Sequence, residues 1–283
     1  MNYRHAFHAG NFADVFKHAI LIGLLDTLKS KTTPFCYIDT HAGAGCYDLR
    51  DEFSQKTGEF TEGVHRLLVA DSLPASLRPY FDLLRAANAS DGSGHLHVYP
   101  GSPMVASLVM RDIDSAILCE TQDDESTALR GLFGADRRFG VHQRDGYVAL
   151  SGFVPPKERR GLVLIDPPYE AQEAEFRVIE KALGEAYERW PTGIYAIWYP
   201  IKRRRNLQAF HRWFGRRGVK KTLAAELMLQ PDDSPLRLNG CGMAIVNAPW
   251  QFDAWLQRLL PDLAYLLARE TRAQYFVEHL TRD

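Results

Sequence analysis

Seven short apolar runs, separated by stretches with helical spacing, limit this chain to an alternating α/β architecture. The runs are Phe35 to Asp39, Ala116 to Glu120, Val141 to Gln143, Leu162 to Asp166, Ile194 to Tyr199, Thr222 to Met228 and Gly242 to Asn247. They are apolar throughout rather than alternating, as expected of parallel strands covered on both faces. Phe12 to Lys29, Pro103 to Arg111, Ser126 to Phe133, Glu173 to Trp190, Arg204 to Arg217 and Phe252 to Ala268 carry apolar residues three and four apart, which predicts helices. The expected fold is a seven-stranded, doubly wound, mostly parallel sheet. Between Tyr47 and His97 no strand is evident, whereas Glu62 to Asp71 and Leu77 to Asn88 read as helices. A helical insertion over 47–97 is therefore expected within a main domain of 1–46 and 98–283. The tail from Ala273 to Leu280 fits strand or helix.

Composition narrows the class further. With 283 residues and 46% hydrophobic content, the chain can bury a large core, so disorder is excluded. The net charge of -1 gives no global nucleic-acid signature, and any nucleic acid must meet a local patch. Four scattered cysteines do not make a disulfide scaffold or a zinc ribbon, which fits a reduced, cytoplasmic compartment. The apolar stretch Ala19 to Leu25 is too short to span a membrane and lacks the cleavage site of a signal peptide.

Ligands of open α/β sheets bind outside the carboxyl ends of the strands, and four strand ends here carry acids. The first is followed by the glycine-rich turn Asp39-Thr40-His41-Ala42-Gly43-Ala44-Gly45, which lets backbone approach a nucleoside. Asp48 stands where a dinucleotide fingerprint needs its third glycine, which weakens a nicotinamide reading. Glu120 is placed to accept from ribose hydroxyls. It lies far beyond the usual ~20 residues from the glycine turn, and the insertion accounts for the excess. Asp145-Gly146 suits an adenine amino group, with an ordinary Asp-Gly turn as the alternative. Asp166-Pro167-Pro168-Tyr169 forms a rigid ledge on which an exocyclic amine can bond to the Asp166 carboxylate and the Pro167 carbonyl while its ring lies on Tyr169.

These blocks, with Tyr3-Arg4-His5-Ala6-Phe7-His8-Ala9-Gly10-Asn11, Tyr99-Pro100-Gly101-Ser102-Pro103 and Gly193 to Pro200, resemble the bacterial 23S ribosomal RNA adenine-N6 methyltransferases of the RlmJ family. The resemblance implies a Rossmann-like class I methyltransferase fold and S-adenosylmethionine as cofactor. It implies cofactor contacts from His18, His41, Ser102, Glu120, Asp145, Gly146 and Asp166, to which the glycine turn adds Gly43. Asp166, Pro167 and Tyr169 would be the catalytic set. Tyr3, with His5 and Lys17 nearby, would face the RNA. The partner expected is 23S ribosomal RNA, naked or early in assembly, met by a monomer with no membrane association.

Ser102-Pro103 has a second explanation as N-cap and first helical residue. His18 sits on the apolar face of its helix, where a buried structural role competes with a cofactor role. No metal is expected, because the histidines lack zinc-site spacing. Basic residues gather at Arg159-Arg160, Lys202 to Arg205, and Arg216-Arg217 with Lys220-Lys221. Lys202 to Arg205 follows a strand end on the Asp166 side, where phosphates flanking an extruded base would lie. Action on a DNA adenine, or a catalytically idle RNA-binding module, remains open at this level. Protein glutamine methylation favours asparagine in place of Asp166.

Overall fold

The computed structural model describes residues 5–89, 96–235, 238–268 and 273–282, so Tyr3 lies outside the described residues. A short 3-10 turn at His5–Phe7 leads into α1 (Phe12–Lys29), whose first turn is capped by the Asn11 side chain accepting from Ala13 N at 2.9 Å and Asp14 N at 3.0 Å. Then come β1 (Cys36–Asp39), β2 (Cys46–Asp48), α2 (Glu52–Thr57), α3 (Val64–Leu68), α4 (Arg78–Ala87), β3 (Val98–Pro100), α5 (Ser102–Val109), β4 (Ser115–Glu120), α6 (Asp123–Phe133), β5 (Phe139–Gln143), α7 (Gly146–Phe153), β6 (Gly161–Ile165), α8 (Gln172–Arg189) and β7 (Ile194–Ile201). The chain continues through α9 (Gln208–Arg217), β8 (Leu223–Met228), β9 (Gly240–Val246), α10 (Phe252–Leu267) and β10 (Gln274–His279).

The main sheet has eight strands in the order β10-β8-β9-β7-β6-β1-β4-β5. The pairings of β5, β4, β1, β6 and β7 are parallel, while β9 lies antiparallel between β7 and β8 and β10 antiparallel on β8. Two expectations are corrected. The sheet gains an eighth strand, because the tail pairs with β8 over Gln274–His279. The run at Gly242 is not parallel: the connection from β8 to β9 holds no helix among its described residues, and so short a return favours the antiparallel hand.

Helices bury both faces. On one, Phe16, Ile20 and Leu24 of α1 pack with Val105, Leu256 and Leu260; on the other, Ile179 and Leu183 of α8 pack with Ile38, Val163, Ile197 and Phe210. At the two borders of 47–97, β2 pairs antiparallel with β3, placing Tyr47 opposite Tyr99, so a short two-stranded ribbon that the sequence did not announce closes the base of the segment. Three residues are too few for alternation to register. Val64, Leu67, Tyr80 and Leu84 join the same buried cluster as Phe16, so this segment packs onto the α1 side of the sheet.

Candidate active site

Strand order turns four acids scattered in sequence into a row. Asp166, Asp39, Glu120 and Asp145 follow the adjacent strands β6, β1, β4 and β5 at their carboxyl ends. A cavity of about 300 Å³ opens there, lined among others by Lys17, Gly43, Ser102, Glu120, Asp145 and Asp166. Asp39 is the exception. It is fully buried beneath the floor and accepts from Tyr37 Oη at 2.6 Å, Ser102 Oγ at 2.7 Å and His41 N at 3.2 Å. Burial pushes its carboxyl above the usual range, against the pull of those donors.

Glycine backbone shapes part of the cavity wall. Gly43, at φ +60°, donates its N–H to Glu120 Oε2 at 2.9 Å, and a Cβ there would meet Tyr47 Oη at 2.3 Å. Glu120 Oε1 accepts from Gln122 N at 2.8 Å, so the carboxylate is fixed from both sides. Asp145 does not make a simple turn: its Oδ1 caps α7, accepting from Tyr147 N at 2.8 Å and Val148 N at 3.2 Å. The helix was missed because only eight residues carry it, most of them small or apolar. A Cβ on Gly146 would stand 2.0 Å from Thr40 O, so only glycine lets α7 approach the end of β1 this closely.

Ser102 is not the N-cap of α5. Gly101 holds that position with extended dihedrals, and the serine hydroxyl turns down to Asp39 instead. His41 lines the cavity with Nδ1 2.8 Å from Thr40 Oγ1, and burial lowers its pKa to about 4. His18 is not among the lining residues. It is fully buried within α1, its Nδ1 2.9 Å from Tyr99 Oη, and burial lowers its pKa to about 3. The geometry therefore gives His18 the buried structural place that its helix face allowed.

At the Asp166 corner the structure joins residues that spacing alone did not connect. Lys17 Nζ lies 2.5 Å from Asp166 Oδ2 and 2.8 Å from Asp14 Oδ1, and Asp14 Oδ2 meets His5 Nε2 at 2.9 Å and Gly10 N at 3.0 Å. Burial would lower the Lys17 pKa, but Asp14 and Asp166 raise it well above the ordinary value. Burial would likewise raise Asp14, yet His5 and Lys17 hold it well below the carboxylate range. The sequence reading missed Asp14. It stands in the first turn of α1, where an acid ordinarily needs no further reason.

Pro167 is buried and Pro168 lines the cavity. Tyr169 does not line it: the hydroxyl donates to Trp198 O at 2.5 Å, and the ring meets Trp198 and Phe176 edge-on at 5.6 and 5.8 Å. Tyr47, Tyr147 and Glu175 also line the cavity and were not anticipated. Tyr147 could have been found, since it follows Gly146 directly; Glu175 could not, because only packing of α8 beside α7 brings it to donate-accept range of Tyr147 Oη, 2.7 Å away.

The basic stretches separate. Arg160 precedes β6 and bonds Thr33 O and Leu28 O, while Arg216, Lys220 and Lys221 lie before β8; both places are the amino edge of the sheet, opposite the cavity. Lys202 to Arg205 follows β7 at the cavity edge.

An open, mostly parallel sheet with a glycine turn, an acid at the end of the neighbouring strand and an Asp-Pro-Pro-Tyr loop at its carboxyl edge defines a Rossmann-like methyltransferase. The chain belongs to the family described as ribosomal RNA large subunit methyltransferase D, RlmJ, whose model matches residues 32–281. Ribosomal RNA large subunit methyltransferase J of Escherichia coli (strain K12) is 40% identical over 263 residues, covering 93% of this chain and 92% of that protein. The enzyme of the same name from Haemophilus influenzae is 38% identical over 283 residues and covers both chains fully. A crystal structure of a Legionella pneumophila protein superposes with a TM-score of 0.87 at 34% identity, covering 96% of this chain and 98% of that one.

Proposed function

We propose that this chain transfers a methyl group from S-adenosylmethionine to the N6 amino group of an adenine in 23S ribosomal RNA. The observation that carries the proposal is the Asp166 carboxylate at one end of a cavity whose other walls suit a nucleoside. Glu120, rigid between Gly43 N and Gln122 N, is the acceptor for ribose hydroxyls, and Asp145 with Gly146 and His41 forms the adenine end. The cofactor fits the residues present: acids face a hydroxyl-rich cationic ligand, and glycines keep the backbone close. When bound it supplies an electrophilic methyl on a sulfonium.

The chain's own residues do the rest. Lys17 holds Asp166 by Oδ2, which leaves Oδ1 to accept an amino proton of the target base. The Pro167 carbonyl accepts the other. Both bonds draw the nitrogen toward tetrahedral geometry and strengthen as positive charge develops there, so they favour the transition state over the ground state. Tyr169 stacks on the extruded base after its ring turns from the Trp198 contact, and such stacking contributes ~1 to 3 kcal/mol. His5, which lines the cavity, faces the base. A base must leave its stack to reach this cavity, which favours naked or early-assembly RNA in the cytoplasm as substrate.

Asp166→Ala should lower methyl transfer by roughly 10²-fold or more, with RNA affinity nearly intact. Labelled cofactor, given separately 23S ribosomal RNA and genomic DNA from cells lacking the gene, followed by nucleoside mapping, decides the substrate. Label appearing in DNA alone, or normal turnover by Asp166→Ala, overturns the reading.

A further inference from the structure

We infer that Lys202, Arg203 and Arg205 form a rigid phosphate-docking ridge that holds the RNA backbone beside the extruded base, with Arg204 as the staple that builds it. This rests on the RNA substrate proposed above and adds the surface that receives it.

The four cations are consecutive but have different roles. Arg204 points inward. Its Nε donates to Glu226 Oε2 at 2.7 Å, a second guanidinium nitrogen to Glu278 Oε1 at 2.9 Å, and its backbone N–H to Asp232 Oδ1 at 2.5 Å. The guanidinium also lies 3.7 Å from the centre of the Phe276 ring. Glu226 is buried and accepts from Tyr199 Oη at 3.2 Å as well. One arginine thus ties together β7, β8, β10 and the loop between β8 and β9. Its side chain occupies Glu226 and Glu278, which turns those two acids toward Arg204 and away from the three exposed cations.

Lys202, Arg203 and Arg205 are exposed on either side of this staple. Arg203 and Arg205 flank an inward residue in a 3-10 turn, Arg204–Leu207, which fixes their spacing. The backbone beneath is anchored twice more. Asn239 Nδ2 donates to Lys202 O at 2.7 Å, and Gln172 Nε2 to Pro200 O at 2.7 Å. Charged side chains on so fixed a backbone lose less entropy on meeting a phosphate than those on a mobile loop.

Register connects the ridge to the chemistry. Tyr169, from the Asp166 loop, bonds Trp198 O on β7, and Gln172 at the start of α8 bonds Pro200 O on the same strand. Lys202 lies four residues beyond Trp198, about 13 Å of extended chain at ~3.3 Å per residue. A phosphate flanking a base held at Tyr169 falls within the reach of lysine and arginine side chains along that path. The other basic stretches lie at the opposite edge of the sheet, away from the cavity.

The test compares the triple variant Lys202→Ala, Arg203→Ala, Arg205→Ala with wild type and with a control, Arg216→Ala, Lys220→Ala, at the far edge. Transcribed 23S ribosomal RNA is the probe, and its affinity is measured across potassium chloride concentrations, alongside methyl-transfer kinetics and binding of S-adenosylhomocysteine. Each phosphate contact to single strands contributes ~0.7 to the slope of log affinity against log salt, so three contacts give a loss of about 2. The expected result is that loss, a raised KM for RNA, unchanged kcat at saturating RNA, and unchanged S-adenosylhomocysteine affinity; the control should match wild type. An unchanged slope in the triple variant, or an equal loss in the control, overturns the ridge. Salt-sensitive binding without methyl transfer by wild type would sink the methyltransferase reading alone, whereas no RNA binding by wild type would sink both.

Discussion

Lys17→Met probes the buried charges around Asp166 without any assay of catalysis. In the wild type the Lys17 side chain is 5% exposed and that of Asp14 is 3% exposed, and the ammonium lies 2.8 Å from one carboxylate and 2.5 Å from the other. Methionine retains the stem and removes the charge, which leaves Asp14 buried beside only His5 and the Gly10 N–H. Removing one partner of a buried ion pair costs about 3 to 5 kcal/mol, because the remaining charge keeps its desolvation penalty. At ~2 to 4 °C per kcal/mol for a chain approaching this size, the melting temperature should fall by about 6 to 20 °C.

The pH dependence is diagnostic. Asp14 has a folded pKa below its unfolded value, so its contribution is complete above about pH 4 and is lost as pH falls through the depressed value. Lys17 has a raised folded pKa, so its contribution is complete below about pH 10 and is lost only as pH rises through the raised value. From pH 5 to 8 the pair therefore contributes a constant amount in the wild type. In the variant, burial dominates and raises Asp14, so the folded state takes up a proton as pH falls and the deficit shrinks from pH 8 to pH 5. Urea unfolding followed by circular dichroism at four pH values measures this, and Lys17→Met with Asp14→Asn should recover part of the loss. A deficit below about 1 kcal/mol at pH 7, or one that grows toward pH 5, would refute the reasoning.

Gly146→Ala should destabilise by about 2 kcal/mol or more and weaken S-adenosylhomocysteine binding in calorimetry, because the new Cβ meets the Thr40 carbonyl, which is backbone and cannot swing aside. Ser102→Ala removes a donor from buried Asp39 and should cost about 1 to 3 kcal/mol at pH 7. Since the Asp39 pKa is already raised, this cost should lessen as pH falls and the carboxyl protonates; a melting-temperature difference independent of pH would count against it. Tyr169→Phe, which loses only the bond to Trp198 O, should change stability by about 1 kcal/mol and leave methyl transfer within several-fold of wild type, whereas Tyr169→Ala should lower it further; equal activities would remove the ring from the base site.

Local chemistry made much of this protein legible. The run Leu162 to Ile165 had to be a buried strand, and a buried strand followed by an acid and two prolines has few uses. The glycines at 43 and 146 announced close backbone approaches, which the structure shows as a positive φ at one and, at the other, a site where an added Cβ would stand 2.0 Å from Thr40 O. The seven main strands and the longer helices follow from apolar spacing, since a period persists over enough residues to register. The β2–β3 ribbon and α7 did not, because three-residue strands carry no alternation and the small or apolar residues of α7 carry no polar face.

Tertiary structure decided what spacing cannot encode: which charges meet. Asp14, Lys17 and Asp166 are brought together by the packing of α1 against the end of β6, and no local pattern relates residues 149 positions apart. The same holds for Asp39, which strand position advertised as a ligand group and burial assigned to the floor. It holds too for the run at 202–205, where sequence gave four equal cations and packing turned Arg204 inward. The sequence determines the kind of strand end, because backbone conformation and apolar burial are local and periodic. The partner of each charge is set by distance in space, and only the fold supplies that.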